Sequence, residues 1–185
     1  MGLDMYLEKR TYVKNWDHMG PQELHEVLVK KGGKLRGDIK PDRVSYVVEQ
    51  VAYWRKANQI HTWFVENVQG SKDDCGSYYV STEQLLELLD LCRQVLDSLE
   101  TVEGDVVTSL SIAPGQDEFT VNTKPGQVVA QAGLAAKLLP TSSGFFFGST
   151  DYDEFYLDDV RRTIKQIEPL LNEGGDGSYY YQSSW

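Results

Sequence analysis

A chain of 185 residues with 28 acidic against 18 basic side chains carries a formal charge of −10. That balance disfavours general nucleic-acid binding, because the phosphate contribution needs a basic face. With 41% hydrophobic and 25% charged residues, the chain has ordinary globular composition, enough for one packed domain. Two cysteines, Cys75 and Cys92, form no CxxC and no disulfide framework. The N-terminus has neither a basic n-region nor an apolar h-region. Tyr6 stands where a myristoylation signal needs Ser or Thr, and no apolar run is long enough for a membrane span. These features point to the cytoplasm and away from the membrane.

In chain order, Leu3 to Val13 alternates apolar and polar residues and predicts a first strand. Pro21 to Lys31 reads as a short helix with Leu24, Val27 and Leu28 on one face, ended by Gly32-Gly33. A basic, glycine-containing loop runs on to Pro41. Val44 to Val51 is β-branched and predicts a strand leading straight into a helix from about Tyr53 to Val68, with Ala57, Ile60, Phe64 and Val68 inward. Residues 70–77 form a polar loop holding Asp73-Asp74-Cys75, and Tyr78 to Val80 a short strand. Ser81 with Gln84 makes a capping box. The following helix has an apolar stripe of Leu85, Leu88, Leu89, Cys92, Val95, Leu96 and Leu99.

Residues 101–133 read as an inserted β-hairpin arm. Its strands are Val106 to Ile112 and Phe119 to Thr123, joined by a turn at Ala113-Pro114-Gly115-Gln116. A short helix over about Val128 to Leu139 follows. Phe145-Phe146-Phe147 reads as a short buried strand between Gly144 and Gly148. Asp158 to Leu171 predicts a helix bent or ended by Pro169. The aromatic tail Ser178–Trp185 predicts a strand or a pocket plug rather than a frayed end. The sum is a single α+β domain: a mixed or antiparallel sheet, three or four flanking helices and the arm.

Three stretches could carry chemistry. Tyr53 to Phe64 packs four rings, two fixed cations, two amides and a histidine into twelve residues. Rings stack on flat ligands, and Arg and Lys neutralise anions. Tyr53, Trp54, Arg55, Lys56, Asn58 and His61 are therefore the first candidate ligand-binding residues. The competing reading places both tryptophans in the core and pairs the cations with surface acids. Gly148-Ser149-Thr150 offers backbone N–H and hydroxyl donors and adds Ser149 and Thr150 to the site. It matches neither a Walker A loop nor a dinucleotide fingerprint, and its plainer reading is a turn capped by Asp151. Asp73-Asp74-Cys75 could serve a nucleophile only if His61 lies beside Cys75 in space. Cys92, on the leucine stripe, is core. His18, His25 and His61 have no metal-ligand spacing, so no metal or cofactor is expected.

The runs Gly2-Leu3-Asp4-Met5-Tyr6-Leu7, Tyr53-Trp54-Arg55-Lys56-Ala57-Asn58 with Ile60-His61 and Trp63-Phe64, Leu138-Leu139-Pro140-Thr141, Gly144 to Asp153 and Tyr181-Gln182-Ser183-Ser184-Trp185 are similar to a family of small proteins of tailed phages, prophages and bacteria. The arm matches least. The resemblance implies a phage setting, with the host cytoplasm as location, and it carries no catalytic residue. Small non-enzymatic phage proteins often inhibit host defence, some by sequestering nucleotide signals. The leading expectation is thus capture of a small anionic, nucleotide-like ligand without turnover. One alternative is a hydrolase using His61 with a carboxylate or Cys75, and another an acidic inhibitor that binds a host protein. Homo-oligomerisation is compatible with all three.

Overall fold

The computed structural model describes residues 2–111 and 120–185. Strand β1 (Asp4–Tyr12) forms where the alternation predicts it. The predicted helix over 21–31 does not form. Lys30–Lys31 (β2) and Lys34–Leu35 (β3) make a small hairpin instead, and Gly32 and Gly33 both take positive φ at its turn. A Gly-Gly pair between two extended dipeptides serves a primed hairpin turn as readily as it ends a helix. No residue from 14 to 43 is buried, so an apolar helix face there would have nothing to pack against.

Strand β4 (Tyr46–Arg55) runs much further than the valine-rich segment predicts, and helix α1 begins only at Asn58 (Asn58–Asn67). Tyr53, Trp54 and Arg55 are therefore strand residues. The reason is tertiary: they pair with β1, Trp54 opposite Met5 and Tyr53 opposite Tyr6. Such cross-strand contacts outweigh weak helical propensity.

Next come β5 (Tyr78–Val80), α2 (Thr82–Ser98), β6 (Thr101–Ser111), β7 (Thr120–Val129), α3 (Gly133–Leu138), α4 (Glu154–Glu173) and β8 (Ser178–Ser184). The Ser81–Gln84 capping box opens α2, whose buried face is Leu85, Leu88, Leu89, Cys92 and Val95. Burial pushes the Cys92 thiol up to about 12, as befits a core residue. Helix α3 starts later than predicted, because Val128 and Val129 belong to β7. Phe145 to Phe147 form a turn, not a buried strand: Phe147 N–H donates to Gly144 O, and Phe145 is 96% exposed. Helix α4 starts earlier than predicted, at the Asp153 cap, and contains Pro169 without ending there.

The main sheet has the order β4-β1-β8-β5 and is antiparallel throughout. Leu3, Met5, Leu7, Ala52, Trp54, Tyr179 and Tyr181 belong to the same core as Ile60 and Phe64 of α1, the α2 stripe, and Leu157, Val160 and Ile167 of α4. Full burial of each large apolar side chain stabilises by about 1.5–3 kcal/mol. Together these elements make one α+β fold with four helices among the described residues. The arm, β6 and β7, pairs as its own two-stranded sheet and stays tied to the body at its base. Val129 N–H donates to Tyr152 O, and Lys124 pairs with Glu154. The predicted turn at 113–116 lies outside the described residues. No helix among the described residues is long and apolar enough to cross a membrane.

Candidate functional site

The chain reverses sharply between β4 and α1 at Lys56, a non-glycine residue at φ 59°. Such a conformation is costly for a long side chain and persists only where the surroundings over-determine it. Here Lys56 N–H donates to Leu3 O and Asn58 N–H to Lys56 O, both within 3.0 Å. Gly148, at φ 93°, lies against Lys56 closely enough that a Cβ there would sit 3.1 Å from the lysine Cβ. Asn58 completes the clamp. Its Nδ2 donates to Phe147 O (3.1 Å) and Ser149 O (2.8 Å), and its Oδ1 accepts from Ser142 N–H (2.8 Å). Asn58 is thus a buried tie between α1 and the 142–149 loop, with no polar atom left for a ligand.

This junction forms one wall of a cleft of about 480 Å³, within the range of small-molecule sites. Arg55, Lys56 and Gly148-Ser149 lie on that wall, α4 supplies Asp159 and Arg162, and Val107 and Thr108 of the arm close the side. A second recess of about 610 Å³ adjoins it and shares Lys56, Ser149 and Thr108, with Thr150 at its edge. Arg55, Lys56 and Arg162 join none of the ion pairs seen among the described residues. Two polar side chains in the lining are almost fully buried. Gln59 is 2% exposed with its amide set towards the Asp159 carboxyl, and Asp153 is 3% exposed with a free Oδ2. The other carboxylate oxygen of Asp153 caps α4, accepting from Phe155 and Tyr156 N–H. An unpaired buried polar atom costs about 1–3 kcal/mol, so the Asp153 oxygen calls for an explanation.

Three cations meet four carboxylates in the lining: Asp151, Asp153, Asp158 and Asp159. Burial holds two of the four towards the neutral acid. It raises Asp153, and it lifts Asp159 to about 7 against the weaker downward pull of Gln59 and Arg162. The cleft is therefore less negative than its composition. Phe155 adds a half-exposed ring to the lining, with the Lys124 ammonium 5.3 Å from its centroid.

Of the residues predicted from sequence, the structure gathers Arg55, Lys56 and Ser149 in one cleft and Thr150 in the adjoining recess. Trp54 is not among them: it is fully buried, its indole N–H donating to Thr163 Oγ1 at 2.8 Å. Trp63 is also core. The expectation that one of these rings lines the pocket beside Arg55 is corrected, because β4 alternates its side chains and Trp54 points inward. Tyr53 lies outside the cleft lining, its hydroxyl donating to the Asp4 carboxylate, which raises the phenol above its ordinary value.

His61 is also withdrawn, at 1% exposure. Its Nε2–H donates to Asp73 (3.0 Å), leaving Nδ1 to accept from the Tyr181 hydroxyl (2.7 Å). Trp185 indole N–H donates to the other oxygen of Asp73. Burial holds the Tyr181 phenol well above its usual range, keeping it a donor. No Cys75 contact to His61 occurs among the hydrogen bonds of the described residues. Among the described residues no group of three or more His, Cys, Asp or Glu could hold a metal ion.

Sequence reasoning did not single out Gln59, Asp153, Phe155, Asp159 or Arg162 as site residues. Asp159 and Arg162 stand on the polar side of an amphipathic helix, which usually means solvent. Only Asp153, as a helix cap, had a local signal. No family model, curated protein or solved structure matches this chain.

Proposed function

We propose that the protein captures a small anionic, nucleotide-like ligand in the cleft beneath the arm and holds it without turnover. The observation that carries this reading is that Arg55, Lys56 and Arg162, which join no ion pair among the described residues, share one cleft with the unpartnered Asp153 Oδ2. Cations without an ion-pair partner favour an incoming anion. Phe155 offers a face for a flat ring, the role expected of a tryptophan. The burial of His61, with its ring nitrogens on Tyr181 and Asp73, weighs against a Cys75 hydrolase. The phage resemblance supports the same reading, since capture of a nucleotide signal is one way to blunt host defence.

One observation favours a reaction instead. Asp159, held near neutrality in the cleft, has the acidity of a general acid or base. A single experiment separates the two. Purified protein is titrated calorimetrically with nucleoside monophosphates, and the bound ligand is recovered after denaturation and weighed by mass spectrometry. Capture predicts intact ligand and a ten- to hundredfold loss of affinity in Arg55→Ala, equivalent to about 1.5–3 kcal/mol. Time-dependent product that disappears in Asp159→Asn would make the protein an enzyme. Absence of binding to every nucleotide would overturn the capture reading.

A further inference from the structure

We infer that the outer edge of strand β4 pairs with the same edge of a second copy of this chain, joining the two sheets across a twofold axis. The inference is independent of the cleft. β4 is an edge strand of the main sheet, with β1 on its inner side. At Tyr53 the outer edge is covered, because Gln166 Oε1 accepts the Tyr53 N–H at 2.9 Å. Among the described residues, no hydrogen bond reaches that edge from Tyr46 to Gln50. The ladder shows which groups face it. Val13 N–H donates to Ser45 O, so these two residues form a hydrogen-bonded pair. The alternation of an antiparallel ladder then turns the N–H and C=O groups of Tyr46, Val48 and Gln50 away from β1. Val51 has no partner in the β1 register, and this bulge ends the regular stretch. The outward groups are thus spaced symmetrically about Val48. A second copy laid antiparallel, with Val48 opposite Val48, sets Tyr46 against Gln50, and each outward N–H in the stretch meets an outward C=O. No like charges meet in this register: Glu49, the one charged residue of the stretch, stands opposite Val47 of the copy. Edges that must stay unpaired are blunted by Lys, Pro or a bulge, and Tyr46 to Gln50 has none of these.

The side chains fit the same pairing. Tyr46 is 55% exposed and Val48 52%, and Tyr12 on β1 meets Tyr46 edge to face. All three stand on one face of the sheet, so two copies form one continuous apolar row across the axis. Five paired residues a side are not enough for a stable interface, which buries about 800 Å² per partner. The segment over 14–43 supplies the rest. It leaves the sheet beyond Tyr12, returns before Tyr46 and contains no buried residue, while exposing Trp16, Leu24 and Leu28. Pairing about Val48 carries this segment past Gln50 of the copy and alongside its body. Charge favours that approach. Residues 30–43 hold six basic and two acidic side chains against −14 on the rest of the chain, so the basic rim of one copy is drawn to the acidic body of the other.

The test is sedimentation equilibrium of the full-length chain over a wide range of concentration. It is expected to show a species of twice the chain mass, whose association weakens as NaCl rises. Val48→Lys sets two ammonium groups face to face at the axis and is expected to weaken the dimer by at least about a hundredfold. Val48→Pro removes only an outward N–H, which an edge strand tolerates, and is expected to have the same effect. Circular dichroism and a cooperative melt check that both variants fold. Leu86→Lys, a charge placed on an exposed leucine of α2, is expected to leave the dimer intact. In a Cys75→Ser background, Val48→Cys is expected to cross-link to its copy when an oxidant is added. Tyr46→Cys, held opposite Gln50, is expected not to, because its own copy lies beyond disulfide reach. A chain that stays monomeric overturns the inference, whether or not its edge takes up a foreign extended peptide. So does a dimer that both Val48→Lys and Val48→Pro leave intact, or one in which Val48→Cys fails to cross-link.

Discussion

Trp54 and Arg55 are sequence neighbours with opposite fates, and single substitutions should separate them. Trp54→Phe keeps the ring but removes the indole N–H from Thr163. It is expected to lower stability by about 1–2 kcal/mol, read by urea denaturation, and to leave ligand affinity within a factor of two. A large affinity loss without destabilisation would put Trp54 back in the site. Tyr181→Phe should act in the same way on the buried relay. It strands His61 Nδ1 and costs on the order of 1–3 kcal/mol. Asp159 makes a pH prediction. Its folded pKa of about 7 lies above its ordinary value of 3.8, so the native state binds more protons than the unfolded chain between those values. Its contribution to stability is therefore present at low pH and lost as pH rises from about 4 to 7. Asp159→Asn should remove that slope and stabilise the protein at pH 8 by on the order of 1–3 kcal/mol. Denaturant midpoints across pH 5 to 8 check this, and an unchanged slope would count against it.

Two elements differ in what they support. Strand β8 lies between β1 and β5, so it is a central strand although it ends the chain. Deleting residues 178–185 would expose Leu7 and Val80, strip Tyr181 from Phe64, and leave the His61–Asp73 pair open. The expected outcome is loss of the cooperative melting transition, not a small shift. The arm should behave differently. Its strands pair with each other, and only its base is tied to the body. Replacing residues 103–127 by an Asn-Gly turn is expected to leave a cooperative transition with a modestly lower Tm. It would remove the Val107–Thr108 wall and with it most ligand affinity. A variant that binds normally would show that the arm is not part of the site.

At the scale of the whole molecule, charge and burial are unevenly shared. Residues 30–43 hold six basic and two acidic side chains, so the remainder of the chain carries −14. No residue from 14 to 43 is buried, and the segment is held by local turns and by the Asn15 side chain against the His25 backbone. Segments with few buried contacts open most easily. Limited trypsin digestion is therefore expected to cut first at Lys30, Lys31, Lys34, Arg36 or Arg43. The sheet and the α2–α4 layer should survive as a complex of two fragments, seen by native mass spectrometry. First cuts at Arg93 or Arg161, on the packed helices, would contradict this picture.

The parts legible in the sequence are those with local causes. Alternation in residues 3–13 determined β1, the Ser81–Gln84 box and leucine stripe determined α2, and the ring-rich tail announced an ordered final strand. Arg55, Lys56 and Ser149, singled out in the sequence, do come to line one cleft. What only the tertiary structure decided depends on partners far along the chain. Pairing with β1 extended β4 through Tyr53, Trp54 and Arg55, and the strand's two-residue period then sent Trp54 inward and Arg55 to the cleft. Gly148 and Asn58 hold Lys56 at positive φ, which no propensity would predict. The closing of β8 over α1 buried His61 between Tyr181 and Asp73, a setting that the sequence does not show. The cleft itself, lined by Gln59, Asp153, Asp159 and Arg162, arises where the start of α1, the start of α4 and the arm converge. Segments over a hundred residues apart meet there, and a sequence read locally carries no record of that meeting.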